Sequence, residues 1–392
     1  MIKKTIPLSI PNFEGNEKKY INDAISQGWV STGGSYVSKF EQELARFLKI
    51  SNVAVCQSGT SALHLSMVEA GIQPGDVVLV PPVTFIAAVN PVKYQFATPV
   101  FIDCDDSLCM DPFKLNSFCE TECVWDGEKL KFKDAVVKAL VVVHVFGNLA
   151  DMESIMDTAK KYNIVVIEDA TEALGTYYTE GRFAGKYAGT IGNFGAYSFN
   201  GNKIITTGGG GAITSNMPET VDHLRYLSTQ AKDNPKFYYH NEVGYNYRMT
   251  NIQAALGVAQ MEKLQDYISR KQRNYEIYKR EFSGCKYIEL MTFRKETSSN
   301  KWLYNLKIDF DHIDYNLYDL ISDLERVGIQ TRSIWGLINE QKPYRGEVTY
   351  KLEKAPFYSS RILSIPSSTQ ITKEEIVFVA DNIKRLIYNH SI

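Results

Sequence analysis

The sequence of 392 residues lacks any marked excess of one charge, with 43 Lys and Arg against 45 Asp and Glu for a net charge of −2. That balance gives no electrostatic case for nucleic acid or an anionic membrane as partner. Cysteine is scarce and unpatterned. The six residues at 56, 104, 109, 119, 123 and 285 include no CxxC pair, and Cys119 and Cys123 have no second ligand pair nearby. A disulfide framework and a zinc site are both disfavoured, so reduced thiols in a cytoplasmic protein are expected. The six histidines show no HExxH spacing, and no metal is expected. The longest apolar runs, ALVVVHVF among them, are too short to span a bilayer. MIKKTIPLSIPNF has two lysines but no apolar segment behind them, which does not read as a signal peptide. Internal repeats and low-complexity segments are lacking too.

What is there is an ordinary globular balance, 44% hydrophobic and 22% charged, in a chain too long for one ordinary core. Residues 15–28 and 36–49 have helical periodicity, separated by the glycine-rich loop GWVSTGGSY. NVAVC then reads as a buried strand, Ser58-Gly59-Thr60-Ser61 as a turn, and SALHLSMVEAGI as a helix. DVVLV, PVFIDCD, ALVVVHVFGN and NIVVIED are further apolar strands, separated mostly by helical stretches. VTFIAAVN is expected to lead into a helix, and ECVWDGEKLKF to form a hairpin around Asp126-Gly127, inserted at the surface. Continuous apolar strands alternating with helices indicate a mainly parallel sheet covered on both faces. Such sheets bind ligands outside the carboxyl ends of their strands. Residues 1–260 are read as this large domain, with the hairpin insertion near 119–135. A charged helix from about 265 to 282 bridges to a smaller α+β domain, and the two together make up residues 261–392.

The chemistry concentrates in SFNGNKIITTGGGGAIT, residues 198–214. One lysine, Lys203, follows a polar turn and precedes four glycines, Gly208 to Gly211, which place backbone where side chains do not fit. A surface lysine beside a flexible loop is the plainer reading of this stretch alone. The other reading is a lysine of lowered pKa that forms a Schiff base with a carbonyl. A pyridoxal-phosphate enzyme needs such a lysine, a phosphate seat, an acid at the pyridinium nitrogen and a ring-stacking group. Gly59, Thr60 and Ser61 at a helix start, with Ser198, supply a phosphate seat; the same turn also suits a simple N-cap. Asp169, at a strand end, supplies the acid or is a helix N-cap. Phe85 stacks on the ring or belongs to the core. Glu172, one helical turn on, touches the ring hydroxyl or stabilises a helix dipole. His144 reads as structural. Ser31, Thr32, Lys301 and Trp335 are candidate substrate contacts from polar loops. Asn246 and Arg248, on the long tyrosine-rich arm 227–251, suit a reach into a neighbouring subunit.

The order SGTSALHL, VTFIA, IEDATEALG, SFNGNK with its glycine run, and GYNYRMTNIQAA resembles the DegT family of sugar-nucleotide aminotransferases, within the fold-type-I pyridoxal-phosphate enzymes. The resemblance covers almost the whole chain. It implies a large domain with a sheet of seven-stranded type, a homodimer with active sites at the subunit interface, and L-glutamate as amino donor. It further implies that Lys203 carries pyridoxal 5′-phosphate, that Asp169 meets the pyridinium nitrogen, and that Glu172 meets the ring hydroxyl. Glu172 stands where the family usually has Gln. Ser198 and the Gly59-Thr60-Ser61 turn become phosphate ligands, with Asn246 coming from the other subunit. VHVFGN, YYTEGRFAGKYAGTIG, STQAKD, RSIWGLINEQKPY and the hairpin near Trp125 resemble the branch acting in legionaminic-acid-type biosynthesis. That implies a UDP-linked 4-keto-6-deoxy-N-acetylhexosamine aminated at C4, with a GDP- or dTDP-linked keto sugar as the alternative. Related dehydratases replace the lysine by histidine; here Lys203 is present.

Overall fold

A computed structural model describes residues 5–234 and 236–390. The lysine pair at positions 3 and 4, which entered the signal-peptide reading, lies outside the described residues. The central sheet runs in the order Val53–Cys56, Gly211–Ser215, Phe194–Ser198, Val165–Asp169, Ala135–Val143, Val77–Val80, Thr98–Ile102. Gly211–Ser215 is antiparallel to both neighbours, and the other six strands of this row run in one direction. Three of them, Val53–Cys56, Val165–Asp169 and Phe194–Ser198, therefore end on one edge of the sheet, side by side or nearly so. Their side chains are buried almost throughout. Helices on both faces leave them no wet side, which is why the strands read as unbroken apolar runs. The mainly parallel α/β sheet expected from the sequence is thus present.

The two N-terminal helices form at Glu17–Ser26 and Ser35–Leu48. The second turns Phe40 and Leu44 fully inward, where Phe40 meets Phe199 with ring centroids 5.1 Å apart. The hairpin pairs Trp125 with Leu130 around Asp126 and Gly127. It continues into a second tight turn at Lys133 and Asp134, both at positive φ, which joins it to Ala135–Val143. The inserted element is half anchored, because Leu130 and Phe132 are buried while Val124 is exposed. Helix Pro112–Thr121, capped by the Asp111 carboxylate, went unread in the sequence. After VTFIA only a single 3-10 turn, Ile86–Ala88, and a five-residue helix, Asn90–Tyr94, form.

A second apolar core sits on the four-stranded sheet of Ile288–Leu290, Tyr304–Ile308, Ile362–Ile365 and Arg332–Ser333. Helices Leu317–Arg326 and Lys373–Asn389 cover it. Helix Leu264–Glu281 belongs to both cores: Tyr267 and Ile268 pack in the first, Tyr275 and Tyr278 in the second. The expected division at residue 260 is crossed twice. Ile6 joins the second core, whereas Tyr344, Tyr350 and Tyr358 join the first, and Thr349–Tyr350 adds a parallel strand beside Thr98–Ile102. One physical reason for the second crossing is Asp103. Its buried carboxylate accepts the backbone N–H groups of Glu353, Lys354 and Ala355 and the Lys114 ammonium, which holds the C-terminal segment on the large sheet.

Candidate active site

The carboxyl edge of the central sheet opens into a cavity of about 370 Å³. Lys203, Asp169, Glu172, Ser198, Gly59, Thr60 and Phe85 line it together with Trp335. Eight residues singled out from the sequence therefore meet in one place, although they come from five separate stretches of chain.

Each is delivered by local structure. Ser58 caps helix Gly59–Glu69, its Oγ accepting the Ser61 N–H at 3.0 Å. The Ser61 hydroxyl lies 2.9 Å from the Ser58 hydroxyl, and Ser61 does not line the cavity. The helix start thus presents Gly59 and Thr60 with the positive end of the dipole behind them. A Cβ at Gly59 would stand 2.8 Å from the Thr171 methyl and 3.0 Å from Ser198 Cβ, so only glycine lets this turn approach the strand end. Gly211 is equally constrained, since a Cβ there would run into the Ser58 carbonyl. Gly208 faces open space and needs glycine for its φ of +78°. The four-glycine run therefore serves two purposes, close approach at its end and a left-handed turn at its start.

No helix follows Asp169, which removes the N-cap reading of Asp169 and the dipole reading of Glu172. The segment instead folds as irregular turns held from outside. Asn300 donates to the carbonyls of Glu172 and Leu174 at 3.0 and 2.9 Å. Asp169 accepts the Thr171 N–H at 3.0 Å and is buried, which raises its pKa. Glu172 accepts the Phe146 N–H at 2.7 Å, and burial pushes its pKa up to about 7. Lys203 Nζ stands 3.9 Å from Glu172 Oε1 and 4.1 Å from the Trp302 ring centroid. Burial lowers the pKa of this lysine, opposed by Glu172 and then Asp169. Burial thus raises the carboxyl's pKa and lowers the amine's, so the two groups are displaced toward each other.

His144 is fully buried and lies outside the cavity. Its Nδ1 accepts from the Ala150 N–H, so Nε2 carries the proton and donates to Glu168 at 2.8 Å. Glu168 also accepts the N–H groups of Gly189, Ile191 and Gly192. This is a structural network under the strand ends.

Some candidates fall elsewhere. Arg248 is buried in an ion pair with Glu41 at 2.6 Å and also reaches the Val55 carbonyl; it pins the arm to a strand and faces no cavity. Lys301 turns away, its ammonium 4.0 Å from the Tyr275 ring centroid and 4.5 Å from that of Phe293. Ser31 and Thr32 are exposed and outside the cavity, the Ser31 carbonyl accepting the Asn251 N–H. Asn246 is exposed on the arm and does not line the cavity of its own chain. Conversely, Trp302, Asn200, Asn202, Thr84 and Thr171 line the site without having been singled out. Asn200 and Asn202 belong to the polar turn that precedes the lysine. Trp302 lies in irregular chain just before the strand Tyr304–Ile308, where no periodicity marks it. Its indole donates to the Asn202 carbonyl at 2.7 Å, which ties the lysine-bearing turn to the second domain.

Among the described residues no cluster of His, Cys, Asp or Glu could hold a metal, and no helix is long and apolar enough to cross a membrane. The donor set fits pyridoxal phosphate: a helix start with a hydroxyl beside it, a buried carboxylate, and an amine of lowered pKa.

Comparison with known proteins agrees. Residues 11–384 match the DegT/DnrJ/EryC1/StrS aminotransferase family. The chain is 33% identical over 383 residues to GDP-perosamine synthase of Escherichia coli O157:H7, covering 97% of this chain and 98% of that protein. It is 29% identical over 359 residues to the UDP-4-amino-4,6-dideoxy-N-acetyl-beta-L-altrosamine transaminase of Campylobacter jejuni strain 81-176, covering 90% of each. The PLP form of the putative sugar aminotransferase Spr1654 from Streptococcus pneumoniae has the same fold, with a TM-score of 0.87 at 23% identity over 98% of this chain and 99% of that one. The chain belongs to the DegT/DnrJ/EryC1/StrS aminotransferase family and is a pyridoxal-phosphate-dependent aminotransferase.

Proposed function

We propose that the protein moves the amino group of L-glutamate to C4 of a nucleotide-linked 4-keto-6-deoxyhexose, in the cytoplasm and as a homodimer. The observation that carries this reading is the Lys203 amine, buried 3.9 Å from Glu172 in a cavity walled by Asp169 and by the helix start at Gly59 and Thr60. When bound there, pyridoxal phosphate accepts the electron pair released at the donor's α-carbon. Gly59, Thr60 and Ser198 hold its phosphate, Asp169 keeps its ring nitrogen protonated, and Phe85 covers a ring face. Lys203 would hold the cofactor and would be the base that carries the proton between carbon atoms. Glu172, 3.9 Å from the amine, is the acidic group that faces it. Asn246 of one protomer reaches the other's site, which fits its exposure on the arm. Free thiols at all six cysteines fit a reducing compartment.

Two acceptors have support. The stretches VHVFGN, STQAKD and RSIWGLINEQKPY favour a UDP-linked N-acetylhexosamine. Similarity to a GDP-perosamine synthase, at 33% against 29% for the UDP-sugar transaminase, favours a GDP-linked sugar. Holoenzyme incubated with glutamate and a panel of UDP-, GDP- and dTDP-linked keto sugars, read by product mass, separates them. Amination of one or more supports the reading; formation of no amino sugar and no 2-oxoglutarate overturns it.

A further inference from the structure

The cavity around Lys203 borders a second one. Asn202, Trp302 and Trp335 line both, and the second is a chamber of about 320 Å³. The partition is rigid: Trp335 stacks on Phe146 at 4.8 Å and 20°, and the Trp302 indole is tied to the Asn202 carbonyl. The rest of the second chamber's lining mixes apolar Leu8 and Leu303 with polar Ser9, Gln330, Ser333 and Ser364. One charged side chain faces this chamber, Arg332, and no acidic side chain lines it.

Arg332 lies on the short strand Arg332–Ser333, in register with Ser364 of Ile362–Ile365. Its Nη1 donates to the Thr331 carbonyl at 2.9 Å. It is solvent-exposed, and among the described residues no carboxylate pairs with it, unlike Arg182, Arg225, Arg270, Arg294 and Arg361, which each meet an acid. A guanidinium has five N–H donors in a planar fork that suits carboxylate and phosphate oxygens. An arginine left without an acid, lining a chamber that shares Asn202, Trp302 and Trp335 with the cavity of the reactive amine, is placed to receive an anion from a substrate.

We propose that Arg332 is the anion anchor of this second chamber and binds an oxyanion of a substrate whose reacting carbon lies at Lys203. The inference rests on the aminotransferase reading above. Both substrates of that reaction carry the required chemistry, the amino donor in its carboxylates and the acceptor in its diphosphate. No covalent step is assigned to Arg332; it is a specificity residue, which sets where the substrate lies against the tryptophan partition.

The two half-reactions separate these sources. Holoenzyme carrying Arg332→Gln or Arg332→Lys is titrated with L-glutamate alone, read by the cofactor's absorbance. The amine form of each is titrated with the keto-sugar nucleotide. Binding of the non-reacting probes succinate, UDP and GDP is measured by calorimetry. For Arg332→Gln the expected result is a loss of about ten- to hundredfold in the affinity for one substrate and its probe, as for removal of a charge-assisted hydrogen bond. The maximal rate changes far less. Arg332→Lys recovers part of the affinity through its charge and not the forked geometry. A loss confined to glutamate and succinate identifies the donor's carboxylate; a loss confined to the nucleotide substrate and UDP or GDP identifies the diphosphate. Unchanged affinity for all of them in a folded Arg332→Gln protein overturns the proposal. If the unsubstituted holoenzyme itself reacts with neither substrate, the functional reading fails and not this assignment alone.

Discussion

Lys203 and Lys271 are both buried lysines with lowered pKa values, and their surroundings differ in every other respect. Lys203 projects into a cavity, faces Glu172 and Asp169, and follows a turn at a strand end. Lys271 sits on the bridging helix, lines no cavity described here, and has no acid beside it. Its Nζ donates to the Trp302 carbonyl at 2.7 Å and the Ser367 carbonyl at 2.5 Å, and burial alone lowers its pKa to about 7. A depressed lysine pKa therefore does not by itself mark a catalytic group. The difference lies in what the amine faces: acids and free space in one case, satisfied backbone carbonyls in the other. Lys301, with a pKa lowered to about 8 by burial between aromatic rings, stands nearer the second kind.

The largest effect is expected from Lys203→Ala. Transamination should fall by roughly a thousandfold or more, as for loss of a group that is both nucleophile and proton carrier, while the melting temperature changes little. Lys271→Met should do the reverse, with the cofactor still bound and turnover reduced only modestly. Two orphaned carbonyls would cost about 1–3 kcal/mol each, less any relaxation, measured by denaturant unfolding. An equal loss of activity in both variants would break the comparison.

Asp169→Asn comes next. It keeps shape and removes the charge facing the cavity, so the rate should drop by roughly a hundredfold with the cofactor retained, checked by single-turnover absorbance. Within the glycine run, Gly211→Val should abolish activity or folding and Gly208→Ala should cost far less, because only the first meets backbone.

The pH responses sharpen the contrast further. Lys271 holds a proton less firmly in the folded chain than in the unfolded one, where its pKa is ordinary. Between about 7 and the usual lysine range the unfolded state binds more protons, so stability rises with pH there by up to about 1.4 kcal/mol per unit. Below about pH 7 that dependence vanishes. The stability difference between the native chain and Lys271→Met should show this slope, and a flat difference would contradict it. For Lys203, Glu172 raises the amine's pKa against the larger effect of burial. Glu172→Gln should shift the pH at which the apo chain captures the cofactor downward. An upward shift would mean that Glu172 does not face the amine as an anion.

Much of this was legible in the sequence, and the failures have a common cause. The strands and their order were readable because both faces of the sheet are buried, which leaves unbroken apolar runs. Asp169 and Ser198 were readable because each ends such a run, and Gly59 and Lys203 because each comes in the turn after one. Trp302 and Arg332 were not, since the second domain brings them in through irregular chain and a two-residue strand, where no periodicity survives. Arg248 misled because an arginine on a polar arm looks solvated, whereas Glu41, over two hundred residues earlier, draws it inward. Lys301 misled similarly; its φ of +51° and its two aromatic neighbours are tertiary facts.

The central claim is that Lys203, and neither Lys271 nor Lys301, holds the cofactor. Holoenzyme treated with borohydride, digested and mapped by mass spectrometry tests it in one measurement. The account predicts a phosphopyridoxyl mass on the peptide containing Lys203 and on no other. The label on Lys271 or Lys301, or bound cofactor with no lysine labelled, would contradict it.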